Sequence, residues 1–346
     1  MAAGCGHKRV TPAHGSDRAM SDWLDRNVPE LMQRCGVPGV VITVVDATGP
    51  RLSRSYGHTD DAESTPVTPE TVFEGASLGK PLFAYAMLAQ AAPPHFELDA
   101  SIEGYLRTKL VDDRRGPLIT GRHLLSHSSG LVHSEAHDGL RVVTHPGSAW
   151  QYSGLGFVVL QRAGERLWGD RYDELFQGLV RESLGMVASS YLPPRDASRP
   201  RAVGHDRQGR RFPRTEWTEP NVASSLHTTA LDYGRFLRTM LAESAAADDT
   251  SAGRRMLQPQ ISVDESLGLS WGLGWAIATV PGDTLFLHWG SNPGYKSLAV
   301  GSTAQGVAVV ILTNGDNGLE LATSIIPAVL GRDYPFLRFY MLHPDD

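Results

Sequence analysis

Strand-like sequence patterns occur near both ends of this 346-residue chain, with a long stretch of helical patterns between them. Two β-branched, apolar runs come early and four more follow residue 270. The six runs are Val40–Asp46, Leu52–Tyr56, Trp271–Ala278, Leu285–Trp289, Ser297–Gly301 and Gly306–Thr313. Residues 100–250 instead read as helical segments divided by glycine and proline. This order predicts an α+β fold in which both ends of the chain build one antiparallel sheet flanked by helices.

The same patterns predict the domain boundaries. Residues 1–20 are largely polar and predict a disordered tail, which an amphipathic helix over Asp22–Cys35 follows. We expect a sheet domain built from 21–100 together with 255–346, and an inserted helical domain over 101–254. A candidate active site would lie at the boundary of the two domains, where pockets commonly form.

Charge and composition exclude several classes of function. Lysine plus arginine (32) against aspartate plus glutamate (38) gives a net charge of −6, which leaves no basic surface for nucleic acid or an anionic membrane. Cys5 and Cys35 are too few for a zinc site, and the four histidines between residues 123 and 137 lack a completing carboxylate or cysteine set. We therefore expect no metal and no cofactor.

The N-terminal sequence bears on location. The first ten residues lack the apolar core of roughly 7 to 15 residues that a secretory signal requires. No later stretch reaches the ~18 continuous apolar residues of a membrane span. The sequence therefore predicts a cytoplasmic protein that acts on an intracellular substrate.

Ser77 lies three residues before Lys80, at the start of an apolar run that predicts a helix from Leu78 to about Ala91. Positions i and i+3 share a helix face, so the Lys80 amine can approach the Ser77 hydroxyl. A serine hydroxyl is a poor nucleophile at neutral pH, and a desolvated amine can take its proton. The helix N-terminus would also favour an anion that develops beside Ser77.

Two other interpretations of Ser77 compete with this one. A helix N-cap serine followed by a surface lysine gives the same four-residue pattern. Gly75, Ser77 and Gly79 also match the Gly-x-Ser-x-Gly elbow of α/β-hydrolases. We set the elbow aside because its approach, Thr71-Val72-Phe73-Glu74, is short and charged.

Two later segments carry groups that would complete an activated serine. Tyr152 precedes an apolar helical stretch, and a phenol beside a lysine ammonium would have a lowered pKa and could serve as a phenolate base. The strand ending in His288-Trp289-Gly290 can bring its backbone close to a substrate. The N–H of the next residue, Ser291, suits an oxyanion hole.

In this order, the three elements resemble the serine β-lactamase and penicillin-binding-protein superfamily. The resemblance is strongest to the class C β-lactamase-like branch, which includes family VIII esterases and D,D-peptidases. Further segments similar to that branch are Ile119–Leu131, Leu184–Met186, Leu226–Phe236, Gly272–Trp275 and Gly290–Tyr295. Together the matches cover residues 20–335.

The resemblance implies a role for each catalytic group. Ser77 would be the nucleophile that accepts the acyl group, and Lys80 and Tyr152 would remove and return its proton. The backbone N–H groups of Ser77 and Ser291 would hold the substrate carbonyl oxygen. Water or another nucleophile would then take the acyl group from the serine.

Two positions depart from the lactamase pattern and bear on the substrate. Gly154 stands where that group usually has the asparagine of Tyr-x-Asn, so an amide that helps to position an amide substrate is missing. His288-Trp289-Gly290 replaces Lys-Thr-Gly, which removes a permanent cation and a hydroxyl that would bind a substrate carboxylate. Losing a charge-assisted hydrogen bond costs roughly 1.5 to 3 kcal/mol. Trp289 would instead provide an apolar wall beside Gly290.

The sequence therefore predicts a serine hydrolase or acyltransferase that forms an acyl-Ser77 intermediate on a neutral ester, thioester or amide. The acyl acceptor, which is water, an amine or an alcohol, stays open. A D-amino-acid peptidase or weak β-lactamase is one alternative. A non-catalytic ligand-binding relative is the other.

Overall fold

An antiparallel β-sheet forms the centre of the protein in a computed structural model that describes residues 16–60, 65–89, 95–134, 139–169, 177–194 and 199–343. The strands are β1 (Gly39–Asp46), β2 (Gly49–Gly57), β3 (Phe73–Ala76), β4 (Leu131–Ser134), β5 (Gly139–Val142), β6 (Leu226–Thr228), β7 (Ile261–Asp264), β8 (Leu269–Trp271), β9 (Ala276–Val280), β10 (Asp283–Asn292), β11 (Tyr295–Ser302) and β12 (Val307–Thr313). Eight of these strands form the sheet, in the order β2-β1-β12-β11-β10-β9-β8-β7. Strand β1 pairs directly with β12, so both ends of the chain build one sheet.

Helices cover both faces of the sheet, and several of them come from the stretch of chain between its N-terminal and C-terminal strands. They are α1 (Asp17–Cys35), α2 (Gly79–Ala89), α3 (Ile102–Leu106), α4 (Gly121–Leu125), α5 (Gly154–Trp168), α6 (Ala230–Ala245), α7 (Ala252–Met256) and α8 (Gly318–Leu330). This arrangement confirms the predicted α+β class. Within the described ranges, no helix is long and apolar enough to cross a membrane.

Strand β1 shows why both faces of the sheet are buried. Alternate residues point to opposite faces, and Val40 and Ile42 enter a cluster with α1 and α8. Val41 and Val45 enter a second cluster, which α2, α5 and α6 complete. Burying one such side chain fully contributes about 1.5 to 3 kcal/mol. The run of apolar residues without polar alternation follows from this two-sided burial.

Three differences from the predicted boundaries change the architecture. Helix α1 begins at Asp17, so residues 17–20 of the predicted tail are helical, and Met20 is buried against the sheet. The strand predicted over Trp271–Ala278 is two strands, because Gly274 has a φ of 90° and turns the chain between them. Residues 1–15 lie outside the described ranges.

The third difference concerns the region predicted as an inserted helical domain. Helix α6 falls inside its predicted bounds of 101–254 but packs directly on β1 and β12. Gly234 permits this approach, since a Cβ there would lie 3.0 Å from Val45 Cγ1. Part of the predicted insertion is therefore one of the layers that cover the sheet.

Candidate active site

Ser77 lies at the turn between β3 and α2 and is half-buried. All four residues of β3 are buried, and Ala76 has a φ of 49°, a left-handed conformation that is uncommon for residues other than glycine. The sequence analysis set the nucleophile elbow aside because the segment before Ser77 is charged. That reason is wrong, because Glu74 is buried in the strand that leads to Ser77. The antiparallel strand order still excludes the α/β-hydrolase fold.

Lys80 lies on the first turn of α2, with its amine directed at Ser77. Lys80 Nζ donates to Ser77 Oγ at 2.7 Å and to the carbonyl oxygen of Ala223 at 2.6 Å. Only 1% of Lys80 is exposed, and burial lowers its pKa from 10.5 to about 7. A neutral amine in this position can accept the Ser77 proton while one of its N–H groups still donates to Ala223.

Tyr152 lies in the extended segment just before α5, with its ring 5.0 Å from Lys80 Nζ. Its hydroxyl is enclosed and makes no hydrogen bond of good geometry to a described residue. Burial raises the pKa of Tyr152 well above 10, and the nearby Ser77 hydroxyl offsets this only in part. The predicted lowering of this pKa is wrong, because burial disfavours the phenolate. Burial also lowers the pKa of Lys80, so less of the ammonium form is present to stabilise a phenolate.

The end of strand β10 lies against β3, the strand that leads to Ser77. A Cβ added to Gly290 would lie 2.2 Å from the Gly75 carbonyl oxygen and 2.2 Å from Ser297 Oγ. Ser297 Oγ donates to the same Gly75 oxygen at 3.0 Å. Strand β10 continues past the predicted end at Trp289 to Asn292, so Ser291 lies within the strand.

The two candidate oxyanion donors therefore belong to adjoining segments. The Ser77 N–H donates no hydrogen bond to the described part of the chain, so it can bind a substrate oxygen. Ser291 follows directly on Gly290, at the point where β10 approaches β3. The role of the Ser291 N–H in the oxyanion hole stays a prediction.

Gly290→Ala is expected to separate β10 from β3, since the new methyl group overlaps the Gly75 carbonyl oxygen and the Ser297 hydroxyl that donates to it. We expect a fall in esterase kcat/KM of about 100-fold or more, because misplacement of a catalytic group by ~1 Å has such effects. The free energy of unfolding should fall by about 1 to 3 kcal/mol, as overpacking usually costs. Enzyme kinetics and thermal denaturation check both values. Gly104→Ala is the matched control, and wild-type behaviour is expected there because the added Cβ has no neighbour within 4 Å. An equal loss in both variants would contradict the steric argument.

Asn292 joins three segments of the site, a role that the sequence analysis missed. Its Nδ2 donates to Glu74 Oε2 at 2.7 Å and to the Ser224 carbonyl oxygen at 3.1 Å. Burial raises the pKa of Glu74, and the hydrogen bond from Asn292 opposes this change. The neighbouring Ala223 oxygen, which accepts from Lys80, was also missed, because a backbone carbonyl leaves no signal in residue identity.

His288 and Trp289 lie behind Tyr152. His288 is fully buried, its Nδ1–H donates to the Trp289 carbonyl oxygen at 2.7 Å, and burial lowers its pKa to about 3. The Trp289 ring stacks on Tyr152 with a centroid distance of 5.7 Å, and only 4% of the residue is exposed. Both residues therefore support the tyrosine, and their predicted contacts with substrate stay predictions.

Gly154 lies at the first position of α5. A Cβ added there would lie 3.7 Å from the Ala223 Cβ, which is ordinary contact. A side chain at this position would therefore contact Ala223, whose carbonyl oxygen accepts from Lys80. The structure brings Ser77 and Tyr152 to Lys80, and it places Gly154 beside Ala223.

His123 and His133, two of the four histidines between residues 123 and 137, lie in different surroundings. His123 Nδ1 lies 3.3 Å from the N–H of Thr120 and caps α4, and His133 is exposed. His137 lies outside the described residues. Across the described ranges, no three His, Cys, Asp or Glu side chains form a group that could hold a metal ion.

Comparison with known proteins identifies the family. The model of the family described as Beta-lactamase matches residues 24–331. Esterase EstB of Burkholderia gladioli is 26% identical over 84% of this chain and 89% of the esterase, and penicillin-binding protein 4 of Amycolatopsis lactamdurans is 26% identical over 85% of each. The octameric penicillin-binding protein homologue from Pyrococcus abyssi shares the fold, with a TM-score of 0.78 at 22% identity over 93% of this chain and 80% of that one. The chain belongs to the beta-lactamase family.

Proposed function

We propose that the protein is a serine hydrolase that forms an acyl ester on Ser77. The observation that carries this proposal is the contact of 2.7 Å between Lys80 Nζ and Ser77 Oγ, made by a buried lysine with a pKa lowered to about 7. With a pKa near 7, the neutral amine makes up about half of the population at neutral pH, and this form can act as the general base for an adjacent hydroxyl. Membership of a family that contains serine hydrolases supports the same activity.

The positions of the groups suggest how the proton moves. Ser77 Oγ attacks the substrate carbonyl carbon while its proton passes to Lys80 Nζ, and the N–H groups of Ser77 and Ser291 stabilise the oxyanion. Tyr152 keeps its proton in the resting state because burial raises its pKa, so it can protonate the leaving group and be recharged from Lys80. In the second half, an acceptor attacks the acyl carbonyl and its proton returns to Ser77 by the reverse route.

Three features favour a neutral ester, thioester or hydrophobic amide as the acyl donor. His288 is neutral, since burial lowers its pKa to about 3, so the third motif offers no cation for a substrate carboxylate. Gly154 offers no side-chain amide to an amide substrate. The relative EstB is named an esterase. We extend the proposal to acyl transfer, in which an amine or alcohol replaces water as acceptor.

A substrate panel tests this function. We expect turnover of p-nitrophenyl acyl esters with kcat/KM at least about 10-fold above that for nitrocefin or a D-Ala-D-Ala peptide, the effect of one missing charge-assisted hydrogen bond. Mass spectrometry of reactions that contain an added alcohol or amine would detect acyl transfer. Preference for the peptide or nitrocefin would favour the peptidase or lactamase alternative. No turnover and no labelling by a fluorophosphonate probe would favour the ligand-binding alternative.

The rate of ester hydrolysis should rise with pH through about 7. Below its pKa, Lys80 is protonated and cannot accept the Ser77 proton, and above it the amine is free to do so. His127 and His288 should not contribute to this rise, because burial lowers the pKa of each far below neutrality. Initial rates of kcat/KM with a non-ionising ester, corrected for the uncatalysed reaction, check the profile. A rate that is constant across this range, or falls with pH, would contradict neutral Lys80 as the base.

A further inference from the structure

His127 contacts Tyr152 and both of its neighbours in the chain. The His127 backbone carbonyl accepts from the N–H of Gln151 at 2.7 Å, and its Nδ1 accepts from the N–H of Ser153 at 3.1 Å. Its ring lies 4.4 Å from the Tyr152 ring, centroid to centroid. One residue therefore contacts the tyrosine and fixes the backbone both before and after it.

Tyr152 depends on such external contacts for its position. Residues 151–153 belong to no helix or strand, so no regular hydrogen-bond ladder fixes their backbone. The Tyr152 hydroxyl also makes no hydrogen bond of good geometry to the described residues. The orientation of the phenol is therefore set by packing of its ring and by the two anchored neighbours.

His127 is itself held in one orientation. It is 1% exposed, and its φ of 55° is a left-handed conformation that histidine adopts more readily than most residues. Trp271 and Phe157 contact its ring, with centroid distances of 4.9 and 5.3 Å. A ring packed in this way cannot rotate without disturbing the core around it.

The hydrogen-bond pattern also fixes the proton on His127. Because Nδ1 accepts from Ser153, the neutral ring carries its hydrogen on Nε2. Burial lowers the pKa of His127 well below 6.5, so the ring stays neutral. Nδ1 is occupied by the backbone and is not free to take a proton from the tyrosine.

We propose that His127 is a positioning residue, which holds Tyr152 where its hydroxyl can protonate the leaving group. This inference rests on the proposed function, because it assigns His127 a task only if Tyr152 transfers a proton. It also specifies which step depends on His127. Acylation by a substrate with a poor leaving group needs the Tyr152 proton, whereas a leaving group that departs as a stable anion does not.

Two substitutions at His127 form a matched pair for the test. Leucine and asparagine have nearly the same shape, but only the asparagine in His127→Asn keeps an acceptor near the position of Nδ1 and tolerates a positive φ. We expect His127→Leu to lower kcat/KM for an ethyl ester about 100-fold, the scale of a ~1 Å misplacement, and for the matching p-nitrophenyl ester less than about 10-fold. His127→Asn should restore both values to within about 5-fold of wild type.

The outcomes separate this inference from the proposed function. If wild-type protein fails to label with a fluorophosphonate, the proposed function fails, and the role of His127 falls with it because no proton transfer by Tyr152 remains to support. Two results with a wild-type protein that labels would overturn the positioning role. One is an equal loss of activity on both esters in His127→Leu. The other is a loss in His127→Asn as large as that in His127→Leu. Should His127→Leu not fold, as judged by circular dichroism, His127→Phe replaces it, since it keeps the ring contact and removes only the acceptor.

Discussion

Ser77→Ala is expected to lower kcat/KM for a p-nitrophenyl ester by at least about 10⁴-fold, the scale seen when a nucleophile is removed from a hydrolase whose groups act together. The substitution removes the oxygen that would carry the acyl group, and the remaining amine and oxyanion donors cannot form a covalent intermediate. Fold should be retained, because Ser77 is only half-buried and Lys80 keeps its second contact with the Ala223 carbonyl oxygen. Steady-state kinetics at matched protein concentration measure the loss.

Ser291→Ala is the matched control for this variant. Ser291 is proposed to act through its backbone N–H, and its exposed side chain can be removed without changing that group. We expect a change in kcat/KM below about 10-fold, against the far larger loss at Ser77. Comparable activity in Ser77→Ala and wild type would contradict Ser77 as nucleophile. A loss in Ser291→Ala as large as that in Ser77→Ala would assign the hydroxyl of Ser291 a part in the chemistry.

Lys80→Met is expected to abolish most of the activity and to stabilise the fold at the same time. Methionine fills nearly the same space but cannot accept the Ser77 proton, so kcat/KM should fall by about 10³-fold or more, as for other residues of a catalytic unit. Removing the buried amine also removes its desolvation cost. One pKa unit is about 1.4 kcal/mol, so a pKa lowered from 10.5 to about 7 corresponds to several kcal/mol.

The stability gain should depend on pH in a defined direction. Between pH 7 and 10.5 the unfolded chain binds a proton at Lys80 that the native protein does not, so wild-type stability rises with pH in this window. The advantage of Lys80→Met should be largest below about pH 7 and shrink as pH rises toward 10.5. Denaturant unfolding of both proteins at several pH values measures this difference.

Lys296→Met is the control for Lys80→Met, because Lys296 is also buried but forms an ion pair with Asp316. Its Nζ lies 2.7 Å from Asp316 Oδ1 and donates to the Asn292 carbonyl oxygen at 2.9 Å. Removing it leaves Asp316 without its cation and should destabilise the protein by about 3 kcal/mol. If both variants were destabilised alike, Lys80 would not carry the unpaired desolvation cost that lowers its pKa.

Much of the fold was predictable because its patterns are local. The strands at both ends of the chain are long apolar runs, and pairing of β1 with β12 follows from the need to bury them. The packing of α6 on the sheet was not predictable, since amphipathicity shows that a helix has an apolar face but not which surface covers it. The early start of α1 depends on burial of Met20, which is a contact with distant residues.

The candidate site divides in the same way. The i, i+3 spacing of Ser77 and Lys80 predicted their contact directly. The pKa of Tyr152 was predicted in the wrong direction, because its sign depends on how far folding buries both the phenol and the amine. The acceptor at Ala223 is a backbone atom, and the contacts of His127 join segments 26 residues apart, so neither could be read from residue types.

Mass spectrometry of the acyl-enzyme tests the central claim most directly. Wild-type protein would be mixed with a p-nitrophenyl ester at about pH 8, where Lys80 is largely neutral, then quenched in acid and digested with protease. We predict one added acyl group per chain, located on the peptide that contains Ser77 and absent from Ser77→Ala. Ester turnover with the acyl group on another residue, or with the same adduct in Ser77→Ala, would contradict a serine activated by Lys80.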